Sequence, residues 1–348
     1  MLLAGDVGGT KTLLGLFAPA PERPQPVEVG EFITLEYGGL EQIVREFLRA
    51  RNMEPRGINA ACFGVAGAIT DQVARLTNVP WLVDGEQVAQ TMGLRRSVII
   101  NDLEALAYAV PVLESAELAV LQQGVAAPRG NAAVIAAGTG LGEAMLHNVD
   151  GRFVPGASEG GHADFAARTP REMQLVEALT PIFGRVGNEV VISGPGIVNI
   201  YQFTHQAFGT GPLLTPNSLL PSRLCSAVGP VKDASDLPAR ISKAAWERRC
   251  PMCVEALDMF VSAYGAEAGN LALAGLAVGG VFVGGGIAPR LLAVLRDGRF
   301  VRAFHAKGRL EPVLRKMPIS VILDSRTGLW GAAALALAAS APARAEAT

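Results

Sequence analysis

Two stretches of this chain repeat one pattern: an apolar strand, a bend of glycine and threonine, then a second apolar strand. The first is LAGDVGGTKTLLGLF near the amino end and the second is VIAAGTGLGEAMLH, with Gly8 and Gly138 130 positions apart. Units of one grammar at two places predict duplicated lobes in an α/β chain. Each bend is ordinary hairpin chemistry, since glycine takes positive φ without steric cost. Each also exposes bare N–H groups in a concave arc suited to an anion, with a threonine hydroxyl as a further donor. Gly8, Gly9 and Thr10 form the first arc, and Gly138, Thr139 and Gly140 the second. A third glycine bend, Gly284, Gly285 and Gly286, follows the apolar VFV, where a flat ring could approach the backbone closely. Two bends on phosphates and one on a purine is a single explanation for all three. Neither GxxxxGK[ST] nor a strand-borne GxGxxG with an acidic partner is present, so P-loop and dinucleotide folds are poor candidates.

Composition narrows the partners. The chain has 348 residues, half of them hydrophobic, and 30 basic against 32 acidic side chains give a net charge of −2. That length provides a sizeable core. The balance gives no electrostatic footprint for nucleic acid, so a small neutral or anionic substrate fits better. The opening residues lack the charged and apolar regions of a signal peptide. Residues 271–288 carry no charge but include six glycines, and read as a helix ending at Gly279, a buried strand and a glycine loop rather than a membrane span. Four cysteines, Cys62, Cys225, Cys250 and Cys253, are too few for a secreted disulfide framework. CPMC at 250–253 resembles half a zinc site or a redox pair, but no second CxxC or histidine nearby in sequence completes a tetrahedral set, so plain structural cysteines are expected. A reduced cytoplasmic protein is expected.

Between the bends, strands alternate with helices. GLEQIVREFLRARN places Leu40, Ile43, Val44, Phe47 and Leu48 on one helical face. SVIIND is a buried strand ending on Asn101 and Asp102, followed by a helix. In open α/β sheets ligands sit at the carboxyl ends of strands, and a carboxylate there can take the proton of a hydroxyl attacking phosphorus. Asp102 can equally be the N-cap of a helix starting at Leu103. Asp6, before the first bend, offers an oxygen to hydrated Mg²⁺. In SEGGHADF, Glu159 and His162 have helical metal-ligand spacing, but two intervening glycines disfavour a helix and no third ligand is evident. With Glu189, which precedes a strand-like VVIS, they suit sugar hydroxyls. Residues 209–238, rich in proline, glycine and serine, read as a long surface excursion.

In order along the chain, these segments resemble the bacterial glucokinases of the sugar kinase/Hsp70/actin superfamily. GDVGGTK, which includes Lys11, is similar to the family's first phosphate motif, AAGTGLG to its second and GGVFVGGGIAPR to its adenosine motif. IIND, EGGH and EVVISGPG resemble its sugar-binding segments, and LTNVPW resembles its Thr-Asn-x-x-Trp-like stretch. The resemblance runs from about residue 2 to 341. It implies a two-lobed, ribonuclease-H-like (actin/hexokinase-type) α/β fold with duplicated mixed sheets. A small domain would comprise 1–110 plus 325–341 and a large one 111–324, with 342–348 a disordered tail. The implied activity is phosphorylation of glucose at its 6-hydroxyl by Mg-ATP, the first step of glycolysis, by a cytoplasmic homodimer that binds neither nucleic acid nor membrane. Asp102 would be the general base and Asn101 would hold neighbouring hydroxyls. Glu159 and His162 would read the 2- and 3-hydroxyl side, with His162 and Glu189 near the anomeric hydroxyl, and Asp6 would support Mg²⁺. Related repressor-type kinases carry a cysteine-rich zinc motif after Glu-x-Gly-His; ADFAARTP stands there instead, so no structural zinc is expected. The rivals are a kinase for another hexose, a polyphosphate-dependent kinase, and a non-catalytic sugar sensor.

Overall fold

The computed structural model describes residues 1–67, 69–76, 79–156, 158–206, 224–230 and 233–340. The proposed 342–348 tail, most of the 209–238 excursion and the Thr77-Asn78 pair of LTNVPW lie outside the described residues. The chain divides into two compact units, Met1–Glu117 with Phe153–Ala157 and Asp324–Thr348, and Leu118–Arg152 with Ser158–Leu323.

The first unit is built on β1 (Leu2–Val7), β2 (Lys11–Ala18), β3 (Gln25–Ile33), β4 (Ala60–Val65) and β5 (Ser97–Asn101), in the order β3-β2-β1-β4-β5. The glycine bend joins β1 and β2 as an antiparallel hairpin, while β4 runs parallel to β1 and β5 parallel to β4. β1 is apolar on both faces because both are covered. Its odd residues Leu3 and Val7 pack with Leu40, Ile43, Val44, Phe47 and Leu48 of α1 (Leu40–Arg49). Its even residues Leu2 and Ala4 pack with Leu329, Trp330 and Ala333 of the closing helix Thr327–Ser340 and with Ala105 of α2 (Asp102–Ala109). Period-two alternation therefore puts Asp6 on the α2 face. Each fully buried leucine or phenylalanine side chain here contributes about 1.5–3 kcal/mol relative to exposure.

The second unit repeats the plan. Its strands β6 (Leu118–Gln122), β7 (Ala132–Ala137), β8 (Leu141–Val149), β9 (Gly280–Gly284) and β10 (Ile319–Ile322) run in the order β8-β7-β9-β10-β6. β7 and β8 form the hairpin, β9 lies parallel to β7 and β10 parallel to β9. Helices α3 (Gly194–Thr204), α4 (Leu237–Trp246) and α5 (Pro251–Ala274) pack with this sheet in one core through Ile197, Ile241, Phe260 and Tyr264.

Two local expectations are corrected. The VVIS segment is not a strand: Asn188–Val191 is a short helix, and Ser193 caps α3 by accepting from Gly196 N–H at 3.0 Å. The helix expected to end at Gly279 ends at Ala274, because Leu276 takes φ 44° and turns the chain toward β9. No helix among the described residues is long and apolar enough to cross a membrane.

Candidate active site

In the first unit, the polar groups gather where β1 and β5 end. Asn101 is the N-cap of α2: its Oδ1 accepts from Leu103 N–H at 2.9 Å, and its Nδ2 donates to the Gly67 carbonyl at 3.0 Å. Asp102 is therefore the first helical residue rather than the cap, exposed, with its Oδ1 also accepting from Leu103 N–H at 2.9 Å. Asp6 is half-buried on the same face, and its carboxyl is pushed up to about 6, first by desolvation and then by the negative charge of Asp102, against the pull of Lys11. Two carboxylates repelling one another at a strand end create a demand for a cation. In the adjoining bend, Gly8 N–H is bonded to the Lys11 carbonyl at 3.0 Å, and the Thr34 hydroxyl donates to the Gly8 carbonyl at 2.9 Å. Thr10 is exposed, and Lys11 pairs with Glu31 at 2.9 Å.

In the second unit, two of the three glycine bends share one cavity. It measures about 910 Å³, and its lining includes Gly138, Thr139, Gly194, Lys243, Trp246 and Gly286. This volume suits a small-molecule ligand. Gly194 N–H donates to the Gly138 carbonyl at 2.8 Å, which joins the start of α3 to the β7–β8 bend. Gly285 takes φ 79°, and a side chain there would collide with the Ala137 backbone, so the third bend must be glycine to lie against the end of β7. Gly284 closes β9, beside Ala136.

The candidate sugar residues, distant in sequence, meet through backbone pairing. Asn188 N–H donates to the Ala163 carbonyl at 2.8 Å and Phe165 N–H to the Val186 carbonyl at 3.0 Å. Arg185 then ties the loop through the His162 carbonyl at 2.7 Å and the Asp164 carboxylate at 2.8 Å. Glu159 and His162 flank a single 3-10 turn, both exposed, with Oε2 and Nε2 3.8 Å apart. A side chain at Gly161 would strike the Leu141 carbonyl, so this turn sits directly against the start of β8. Glu189 Oε2 accepts from Leu141 N–H at 2.9 Å, so one carboxylate oxygen braces the glycine bend.

Several residues escaped the sequence reading. Lys243, Trp246, Asp233 and Ser235 line the cavity from α4 and the residues just before it. Their only sequence signal was a helix of mixed character. Glu143, 4 % exposed on β8, is pushed up to about 8 by burial and secondarily by Glu267, and its Oε1 has no partner among the described residues. A carboxylate inside an apolar strand was its signal. The expectation of no structural zinc rested on ADFAARTP standing after Glu-x-Gly-His, and CPMC lacked partners nearby in sequence. The fold supplies such partners elsewhere, bringing His205 and Cys225 to Cys250 and Cys253.

A family model for glucokinase matches residues 3–339. The chain is similar to a glucokinase of Synechocystis sp., with 37% identity over 96% of this chain and 97% of the relative. It is similar to the crystal structure of glucokinase from an Antarctic psychrotroph, with a TM-score of 0.81, 31% identity and coverage of 96% and 98% of the two chains. The structure of Balamuthia mandrillaris glucokinase in complex with glucose matches with a TM-score of 0.73 at 21% identity, covering 96% of this chain and 93% of that one, and shares the fold.

Proposed function

The chain belongs to the glucokinase family and phosphorylates glucose, and we propose that Asp102 is the base of that reaction, with Mg-ATP as the phosphoryl donor. The observation that carries this reading is the exposed Asp102 at the end of β5, held beside the capping Asn101 and close enough to Asp6 to raise its pKa. As the sugar O6 attacks the γ-phosphorus, Asp102 takes the O6 proton. The O6–P bond forms, and the bond from phosphorus to the β,γ-bridging oxygen breaks, releasing ADP.

Kinases of this family use ATP with a divalent metal, and the Asp6–Asp102 repulsion fits such an ion. Mg²⁺ is the ion we assign, held by Asp6 through water. When bound, it neutralises developing phosphate charge. Gly8 and Gly138 N–H close their own bends on the Lys11 and Gly140 carbonyls. Gly9 and Thr10 in the first arc, and Thr139 and Gly140 in the second, therefore present N–H groups to phosphate oxygens, with Lys11 a further cation beside the first. Gly284, Gly285 and Gly286 border the adenosine, and Trp246 offers a ring face for the purine. Asn101 holds hydroxyls next to the 6-position. Glu159, His162 and Glu189 bind the remaining hydroxyls, with Glu189 on the anomeric one. We place the enzyme in the cytoplasm, where ATP is made and spent, and as a homodimer, which light scattering checks.

A coupled assay of ADP release across hexoses, repeated with polyphosphate as donor, tests the reading. Turnover highest with glucose and ATP is expected. Faster turnover of another hexose or of polyphosphate would overturn the specificity assigned here, and binding without turnover would identify a sensor.

A further inference from the structure

Three thiols and one imidazole converge in the second unit, outside every site described above. His205 follows α3, Cys225 lies in the segment 224–230, Cys250 is the N-cap of α5 and Cys253 occupies its first turn. Their ligand atoms all lie within 4.8 Å of one another. His205 Nε2 is 3.4 Å from Cys250 Sγ and 4.0 Å from Cys253 Sγ, and Cys225 Sγ is 3.8 Å from Cys253 Sγ.

We propose that His205, Cys225, Cys250 and Cys253 form a structural zinc site. The three edges given above lie close to those the ion requires. With Zn–S near 2.3 Å and Zn–N near 2.0–2.1 Å, a tetrahedron has S···S edges of about 3.8 Å and S···N edges of about 3.6 Å. An iron–sulfur cluster needs its thiolates farther apart, because the cluster itself stands between them. The soft sulfur-rich donor set selects zinc over magnesium or calcium.

The surroundings prepare the ligands. His205 Nδ1 lies 2.9 Å from the Tyr201 carbonyl, so in the neutral ring it carries the proton and leaves the Nε2 lone pair toward the thiols. The Tyr201 ring stacks on the imidazole at 3.9 Å and fixes its plane, and the Tyr201 hydroxyl accepts from Cys225 N–H at 2.8 Å. Cys250 and Cys253 stand at the amino end of a 24-residue helix, which fixes the spacing of the two sulfurs. Binding one Zn²⁺ forms three Zn–S bonds and one Zn–N bond and releases three thiol protons to solvent.

The ion would tie the end of α3 and the 224–230 segment to the start of α5. Both α3 and α4, which follows that segment, line the nucleotide cavity at their other residues.

The test is metal analysis of the full-length protein, purified without added metal or chelator. One zinc per chain is expected, along with tetrahedral thiolate-to-metal charge-transfer and d–d bands after replacement by Co²⁺. Cys253→Ser and His205→Ala should each lose most of the metal, while Cys62→Ser, altered in the other unit, should keep it. Wild-type protein returning metal-free would overturn the site, as would a Cys225–Cys253 disulfide in fresh protein or a metal content unchanged by both ligand substitutions. Metal content is read on the wild type first, so the site stands or falls there even where a variant folds poorly.

Discussion

The two units place the same hairpin beside the same pair of parallel strands, yet they differ at one telling position. The fifth residue of β1 is Asp6, paired with Leu13 and Gly64; the fifth residue of β7 is Ala136, paired with Gly142 and Gly284. Both bends offer backbone N–H groups, which need no particular side chain and survive duplication. The first unit places carboxylates, Asp6 and Asp102, where β1 and β5 end, whereas β7 of the second unit ends on Ala136 and Ala137. The second unit offers instead a roomy cavity with an aromatic ring, Trp246, and two cations, Lys243 and Arg290. Under the proposed function, a repeated backbone supplies phosphate binding twice, while the proton-accepting carboxylate and the Mg²⁺ partner belong to the first copy alone.

The sharpest way to break that contrast is to remove the base. Asp102→Asn keeps the shape and the hydrogen-bonding reach at the end of β5 but no longer accepts the proton. Its kcat should fall about 10²–10⁴-fold, with glucose affinity by calorimetry little changed. A variant turning over within a few-fold of wild type would remove Asp102 from the chemistry.

Much of this contrast is legible in the sequence. The glycine bends, the amphipathic α1 and the strand ending at Asn101 follow from periodicity and local turn chemistry, which sequence carries directly. The site is legible where it is local, as at Asn101-Asp102. It is illegible where it depends on tertiary approach: Trp246 and Lys243 reach the cavity only because α4 packs beside α3, and His205 is 45 positions from Cys250. The strand-like VVIS misleads for the same reason, since Asn188 pairs with Ala163 and the chain then coils into α3.

A smaller effect probes the sugar side. Loss of a hydrogen-bonding partner leaves a carboxylate unsatisfied at a cost of about 1–3 kcal/mol or more, so wild type should disfavour 1-deoxyglucose roughly tenfold or more in kcat/KM. Glu189→Ala should weaken glucose and erase most of that preference, and the double-mutant cycle isolates the contact. Because Glu189 also braces the bend at Leu141, KM for ATP should rise in the same variant. An undiminished preference for glucose in the alanine variant would move the anomeric contact elsewhere.

A further effect concerns stability alone. Glu143 is held at about 8 against an ordinary 4.5, so the folded state keeps a proton that the unfolded chain loses. Its contribution is fully present below 4.5 and is lost as pH rises through about 8. Glu143→Gln should therefore match wild type in Tm below about pH 4.5, exceed it increasingly up to about pH 8, and by a constant margin above that. A Tm difference independent of pH would show that Glu143 is not protonated in the folded protein.

The division of labour between the units is tested most directly by calorimetric titration of a non-hydrolysable ATP analogue, with and without Mg²⁺, into wild type, Asp6→Asn and Trp246→Ala. Loss of an outer-sphere metal partner typically costs 10–100-fold in metal affinity. Asp6→Asn should therefore bind the metal-free analogue normally and lose most of the gain from Mg²⁺, whereas Trp246→Ala should bind the metal-free analogue more weakly and retain that gain. A Mg²⁺ effect intact in Asp6→Asn, or metal-free binding weakened equally in both variants, would contradict the assignment of metal chemistry to the first unit and of the purine to the second.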